Sequence, residues 1–189
     1  MPRYSVPAQL GASLVEVLVA MVILAVGLLG LVGLQARLQI LQAESYQRAQ
    51  ALMLVQDLKN RIALNRNNAV AYVTDPDAPL GTDADCPVAN ATRQEADVQQ
   101  WCTELVGAGE TKGGANVGAI VGGLGCVEQL GGSSRYLITV AWQGLAPLTA
   151  PPETVTCGQG AYDGVGESSP CAGDVCRRVV TTVVEIATL

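Results

Sequence analysis

Hydrophobic and polar positions divide this chain into three regimes. From Ala12 to Leu34 run 23 residues whose only charged side chain is Glu16. The 21 residues from Leu14 to Leu34 give a helix about 31 Å long at 1.5 Å per residue, enough to cross a bilayer. A carboxylate at mid-membrane costs about 2.5–3.5 kcal/mol, and less near the interface, so Glu16 implies a partner. The plainer alternative is an interfacial carboxylate that snorkels to the headgroups.

The second regime is amphipathic. Leu34, Leu38, Leu41, Ser45, Ala49, Leu52, Val55, Leu58 and Ile62 recur at steps of three or four, a helical stripe weakest at Ser45. Gln35, Arg37, Gln39, Gln42, Glu44, Gln47, Arg48 and Gln50 fill the other faces. No proline occurs from residue 8 to 75, so one helix is expected from about Ser13 to Leu64, ending in the turn-forming Asn65–Asn68 cluster. Gly27, Gly30 and Gly33 recur inside it. They permit close helix approach, yet each weakens a helix in water by about 1 kcal/mol. Close packing and local melting both remain open.

The third regime is a thinly patterned head. Thr92 and Glu95 form a capping-box signature for a short helix to about Val106, with Val98, Trp101, Cys102 and Leu105 on one face. Residues 107–132 carry ten glycines and read as a loop-rich stretch around Cys126. Arg135 to Trp142 alternates as a strand, with Tyr136, Ile138, Val140 and Trp142 on one side. Residues 144–176, with Pro147, Pro151 and Pro152, read as a stapled loop or a hairpin with a long connection. Arg177 to Ile186 closes the chain as a strand, with Val180, Val184 and Ile186 on one side. A long helix followed by a small antiparallel sheet is an α+β arrangement with the helix packed across the sheet.

Composition sharpens this picture. There is no Phe and aromatics are 4%, so the head's apolar core must be thin. Six cysteines, Cys86, Cys102, Cys126, Cys157, Cys171 and Cys176, all lie beyond residue 85. An even number confined to the head reads as disulfides formed in an oxidising compartment. Spacing favours Cys86–Cys102, Cys126–Cys157 and Cys171–Cys176 among the possible pairings. Metal binding by these cysteines is disfavoured, because the chain has no His and no C-x-x-C pair.

The net charge of −6 argues against nucleic acid as a partner, and the only basic cluster is Arg177 with Arg178. With no His, the commonest general base is missing, and no nucleophile-elbow, zinc-protease or P-loop motif occurs. The acidic loop Asp75, Asp77, Asp83 and Asp85 lacks EF-hand spacing and reads as a solvated loop. No enzyme activity, cofactor or metal is expected.

Residues 1–11, M-P-R-Y-S-V-P-A-Q-L-G, precede the apolar run, the reverse of a cleaved secretory signal. Gly11 to Glu16 reads G-A-S-L-V-E. This resembles the prepilin cleavage motif of type IV pilins and type II secretion pseudopilins. The resemblance implies peptidase cleavage between Gly11 and Ala12, N-methylation of Ala12, and Glu16 at the fifth mature position. Most of the family has Phe where this chain has Ala12, and many pilins have a helix-breaking proline where this chain has Gly33. Cleavage would expose a cationic amine that a neighbouring subunit offers to Glu16. Removing one member of such a buried pair typically costs about 3–5 kcal/mol.

The phrase A-V-G-L-L-G-L-V-G-L-Q, from Ala25 to Gln35, together with Trp142-Gln143-Gly144 and Cys157-Gly158, is similar to PilV-type minor pilins, the type IV pilus modification proteins. The resemblance implies the type IV pilin fold. It also implies a leader at 1–11, a transmembrane half-helix at 12–34, an amphipathic half at 35–68 and a periplasmic head at 69–189. The expected partners are other minor and major pilins, the prepilin peptidase and methylase, and the inner membrane. Arg3 and Arg37 give almost no charge bias, so orientation rests on the resemblance and the cysteines. The expected role is a minor pilin that primes type IV pilus assembly and supports adhesion and twitching motility. A type II secretion pseudopilin is the structural near neighbour. A membrane-tethered periplasmic binding protein that never polymerises is the alternative of a different class.

Overall fold

The computed structural model describes residues 13–75, 77–108, 111–113, 115–116, 120–132, 134–166 and 168–187. The chain divides into two compact units, Met1–Gln42 and Ala43–Leu189. A single α-helix, α1, runs Leu14–Leu64 without interruption at the glycines, one residue inside the expected start.

Beyond α1 the expected stop at the asparagines is a change of helix type. A 3-10 helix continues from Arg66 to Tyr72, buries Ala69 and Tyr72, and hands over to extended backbone at Val73. Asn68 Nδ2 donates to Asn65 Oδ1, and Asn65 Nδ2 donates to the Tyr72 hydroxyl, so these side chains tie the turn down locally.

In the second unit α1 buries Gln47, Ala51, Val55, Leu58 and Ile62. Ala49 and Leu52 of the expected stripe are exposed instead, as is Ser45. The correction amounts to a rotation of the buried face. The helix enters the core cluster that holds Trp101 and Trp142 with a small, fully buried residue, Ala51, which hydrophobicity alone ranks below Leu52.

Helix α2, Arg93–Leu105, opens with the expected capping box: Thr92 Oγ1 accepts from Glu95 N, and Glu95 Oε2 accepts from Thr92 N. Its buried face is Asp97, Trp101, Cys102 and Leu105, with Val98 only half-buried. Asp97 displaces Val98 because it has polar partners waiting: Tyr72 Oη donates to it at 2.6 Å, and Arg93 and Arg61 lie at 3.1 and 3.6 Å.

A two-stranded ribbon, β1 at Thr111–Lys112 and β2 at Ala115–Asn116, precedes the main sheet. The main sheet has order β3-β4-β5, all antiparallel, with β3 at Leu124–Gln129, β4 at Arg135–Gln143 and β5 at Arg177–Glu185. Strands β4 and β5 lie where alternation placed them. Strand β3 corrects the loop-rich reading of 107–132. Gly125 masks its alternation, and that glycine is required because Trp101 packs directly on its backbone.

The two faces of the sheet hold different cores. Tyr136, Ile138, Val140, Trp142 and Val184 pack with α1 and α2 around Trp101. Trp101 is fully buried, and its ring Nε1 donates to Leu54 O at 2.8 Å. Each such aliphatic side chain contributes about 1.5–3 kcal/mol by leaving water. The opposite face carries Leu124, Cys126, Ala141, Cys157, Tyr162 and Cys176, covered by the long connection from β4 to β5.

The cysteines pair as Cys86–Cys102, Cys126–Cys157 and Cys171–Cys176, the pairs that spacing favours. Disulfides thus stand where a head with so few aromatics lacks apolar bulk. A long helix, a three-stranded antiparallel sheet and disulfides together are consistent with the type IV pilin fold.

Candidate functional site: the start of the apolar helix

Gly11 and Ala12, the expected cleavage and methylation residues, lie outside the described residues. Glu16 is described. It sits in the first turn of α1, where the helix dipole favours a negative charge. Ser13 precedes the helix: its Oγ accepts from Glu16 N at 3.2 Å, and its carbonyl accepts from Glu16 N and Val17 N at 3.0 and 3.3 Å. Ser13 therefore caps the helix at the point where the carboxylate is presented. The sequence marks Ser13 as the approximate start of the helix, and the S-L-V-E spacing of a capping box is the signal that identifies it as the cap.

Every side chain from Ser13 to Gln42 is exposed, including Leu14, Leu18, Met21, Leu24, Leu28 and Leu31. The helix is long and apolar enough to cross a membrane by length and composition. An added Cβ at Gly27, Gly30 or Gly33 would meet no atom within 4 Å, so nothing among the described residues requires a small residue there.

The other candidate chemistry resolves into structural roles. Asp75 Oδ1 accepts from Asp77 N, and Asp85 Oδ1 accepts from Cys86 N, so both carboxylates serve their own loop. Among the described residues no group of three or more metal-ligating side chains comes together.

Arg177 and Arg178, the expected basic pair, both turn inward. Arg177 is 1% exposed, pairs with Asp174 at 2.9 Å, and donates to the carbonyls of Val155 and Cys157. Arg178 reaches Glu44 of α1 at 3.5 Å and the carbonyls of Val175 and Ala146. Glu44 also accepts from Leu145 N at 2.7 Å, pinning the proline-rich connection to the helix. A shallow cavity of about 320 Å³ lies between Asp83, Val106, Gly122 and Tyr162. The Tyr162 hydroxyl donates to Gly122 O beside it, and burial pushes its pKa up.

The chain matches the family model described as the prokaryotic N-terminal methylation motif, over residues 7–32. No curated protein and no solved structure matches the chain. The motif supports a pilin- or pseudopilin-type protein anchored by its apolar helix. It implies processing by a prepilin peptidase and assembly with other pilins. With the fold, it points to a structural rather than a catalytic role.

Proposed function

We propose that the chain is a minor pilin of the PilV type, incorporated into or priming a type IV pilus and thereby supporting adhesion and twitching motility. The observation that carries this reading is the helix from Ser13 to Gln42. Its apolar side chains are uncovered on every face, and its only charge before Arg37 is Glu16 in the first turn. Such a surface needs neighbours once it leaves lipid, and the corresponding apolar helices of other pilin subunits supply them.

In the mature protein residues 1–11 are removed, Ala12 carries a methylated amine, and the head faces the periplasm. The amine of one subunit then neutralises Glu16 of the next. The pair acts as an assembly check, because an unmatched carboxylate in an apolar bundle is left uncompensated. The disulfides support the periplasmic placement of the head, since cytosolic thiols stay reduced.

The deciding experiment compares Glu16→Ala with the natural chain for membrane insertion, intact mass and recovery in sheared filaments. Insertion and loss of residues 1–11 are expected to persist while incorporation fails. Normal incorporation would sink the assembly role of Glu16, and unchanged function without any incorporation would favour a tethered periplasmic protein. A pseudopilin of type II secretion shares the motif, and a deletion strain separates the two. Loss of twitching marks the pilus, whereas loss of enzyme secretion marks the secretion piston.

A further inference from the structure

Two cavities meet beside strand β3. The shallow one of about 320 Å³ next to Tyr162 shares Thr82, Leu124 and Ala161 with a second of about 660 Å³, which extends past Asp77 and Gln159. Together they form one crevice between the acidic loop and the connection from β4 to β5. Volumes of this order suit a small organic ligand.

The acidic loop holds two kinds of carboxylate. Asp75 and Asp85 each accept a backbone N–H of their own loop, from Asp77 and Cys86. Among the described residues Asp77 and Asp83 accept no hydrogen bond and pair with no cation, and each lines one of the two cavities. Asp83 does so from a left-handed backbone, φ 55°, which non-glycine residues rarely take.

The rest of the lining defines the charge of an occupant. Among the described residues no lysine or arginine lines either cavity. In the smaller cavity both side-chain hydroxyl protons are already spent: Tyr162 donates to Gly122 O, and Thr82 donates to Pro79 O. Anions therefore find no counter-charge there. Leu124 and Ala161, common to both cavities, give an uncharged wall between the two carboxylates.

We propose that this crevice binds a linear aliphatic diamine, a molecule of the polyamine class. One ammonium lies at Asp83, the other at Asp77, and the methylene chain runs along Leu124 and Ala161. Two carboxylates separated by an uncharged wall complement two cations separated by an apolar spacer. A divalent metal is a poorer match, since no three ligating side chains come together among the described residues. An exposed ion pair is weak by itself, and a second ammonium on the same molecule adds to it through effective concentration. A lysine side chain carries the same chemistry as a free amine, and the test separates these sources.

The test titrates the full-length chain in non-ionic detergent with propane-, butane-, pentane- and hexanediamine, followed by calorimetry. Saturable binding of one diamine per chain is expected, with one spacer length preferred. That diamine is expected to bind about fivefold tighter than butylamine, the upper end for one exposed ion pair. Butanediol, which lacks the charges, is expected to give no saturable heat. Asp77→Asn and Asp83→Asn are each expected to weaken diamine binding about fivefold. Neither carboxylate bonds within its loop, and asparagine tolerates the left-handed backbone at position 83, so both variants keep their fold. Should one of them fail to form the three disulfides, the other carries the expectation alone. Glu153→Gln removes the same charge outside the crevice and is expected to leave binding unchanged.

Absence of saturable binding, or no preference among spacer lengths, overturns the proposal. An equal loss from Glu153→Gln overturns it in favour of bulk attraction to an acidic chain. Tighter binding of a Lys-Gly-Lys peptide than of every diamine, abolished by Asp83→Asn, overturns it in favour of a basic protein segment. No arm requires a filament, so these outcomes are independent of the Glu16 experiment.

Discussion

Trp101 fills the space that a side chain on Gly125 would need: a Cβ built there would run into Cη2 and Cζ3 of the indole. This contact locks α2 onto β3 and explains why that strand of the main sheet contains a glycine. Gly125→Ala therefore forces the indole, held by its bond to Leu54 O, out of its place. The expected destabilisation is about 1–3 kcal/mol, read as a lower thermal midpoint of the full-length protein in detergent. An unchanged midpoint would show that the indole moves freely.

The Cys126–Cys157 bridge spans 31 residues, the longest of the three loops, and ties the covering connection to β3. Closing a loop of that length restricts the unfolded chain by about 3–4 kcal/mol in the chain-entropy picture. Replacing both cysteines with Ser is expected to lower stability by that order. The Cys171–Cys176 double replacement, which frees a loop of only 5 residues, is expected to cost less. Urea titrations of the two variants, compared at constant slope, check the ranking.

Tyr72 ties the end of the helical region to α2 through its 2.6 Å bond to Asp97. Burial, reinforced by that carboxylate, raises its pKa from 10.0 to about 12. The folded state thus keeps a proton that the unfolded chain releases earlier. Its stabilisation is complete below pH 10 and is lost as pH climbs towards about 12. Tyr72→Phe is expected to flatten the alkaline decline in stability without abolishing it, because the pKa of Tyr162 is also raised. At neutral pH the same variant is expected to cost about 1–3 kcal/mol by leaving buried Asp97 short of a donor. Unfolding curves across the alkaline range measure both effects.

Asp174 holds the buried guanidinium of Arg177 while its Oδ1 accepts from Gly160 N and its own N–H donates to Asp163. Its backbone adopts φ 65°, a left-handed conformation that non-glycine residues rarely take. Asp174→Ala leaves Arg177 without its counter-charge, with an expected loss of about 3–5 kcal/mol. Arg177→Met together with Asp174→Ala is expected to recover part of that loss. Recovery in a double-mutant cycle distinguishes an unpaired charge from a broken turn.

The glycines of the apolar helix give the opposite expectation. Because open space surrounds Gly27, Gly30 and Gly33, replacing all three with Ala is expected to leave membrane insertion and head unfolding unchanged. Any change in recovery from filaments would then report packing between subunits. Intact-mass and shearing assays separate the two.

What the amino-acid order determined by itself was whatever depends on local pattern. The apolar run with Glu16, the uninterrupted helix, the Thr92–Glu95 cap and the alternation of β4 and β5 all follow from neighbours near in sequence, and the order of the cysteines along the chain favoured the three pairs that form. Tertiary structure decided what depends on partners distant in sequence. Ala51 rather than Leu52 lies in the core cluster with Trp101 and Trp142, and Asp97 is buried because Tyr72 and two arginines converge on it. Strand β3 was hidden because Gly125 contributes no side chain to the alternation, and only the approach of Trp101 gives that glycine its reason. A glycine or an alanine is silent in a hydropathy pattern, and the shape of its neighbours sets its meaning.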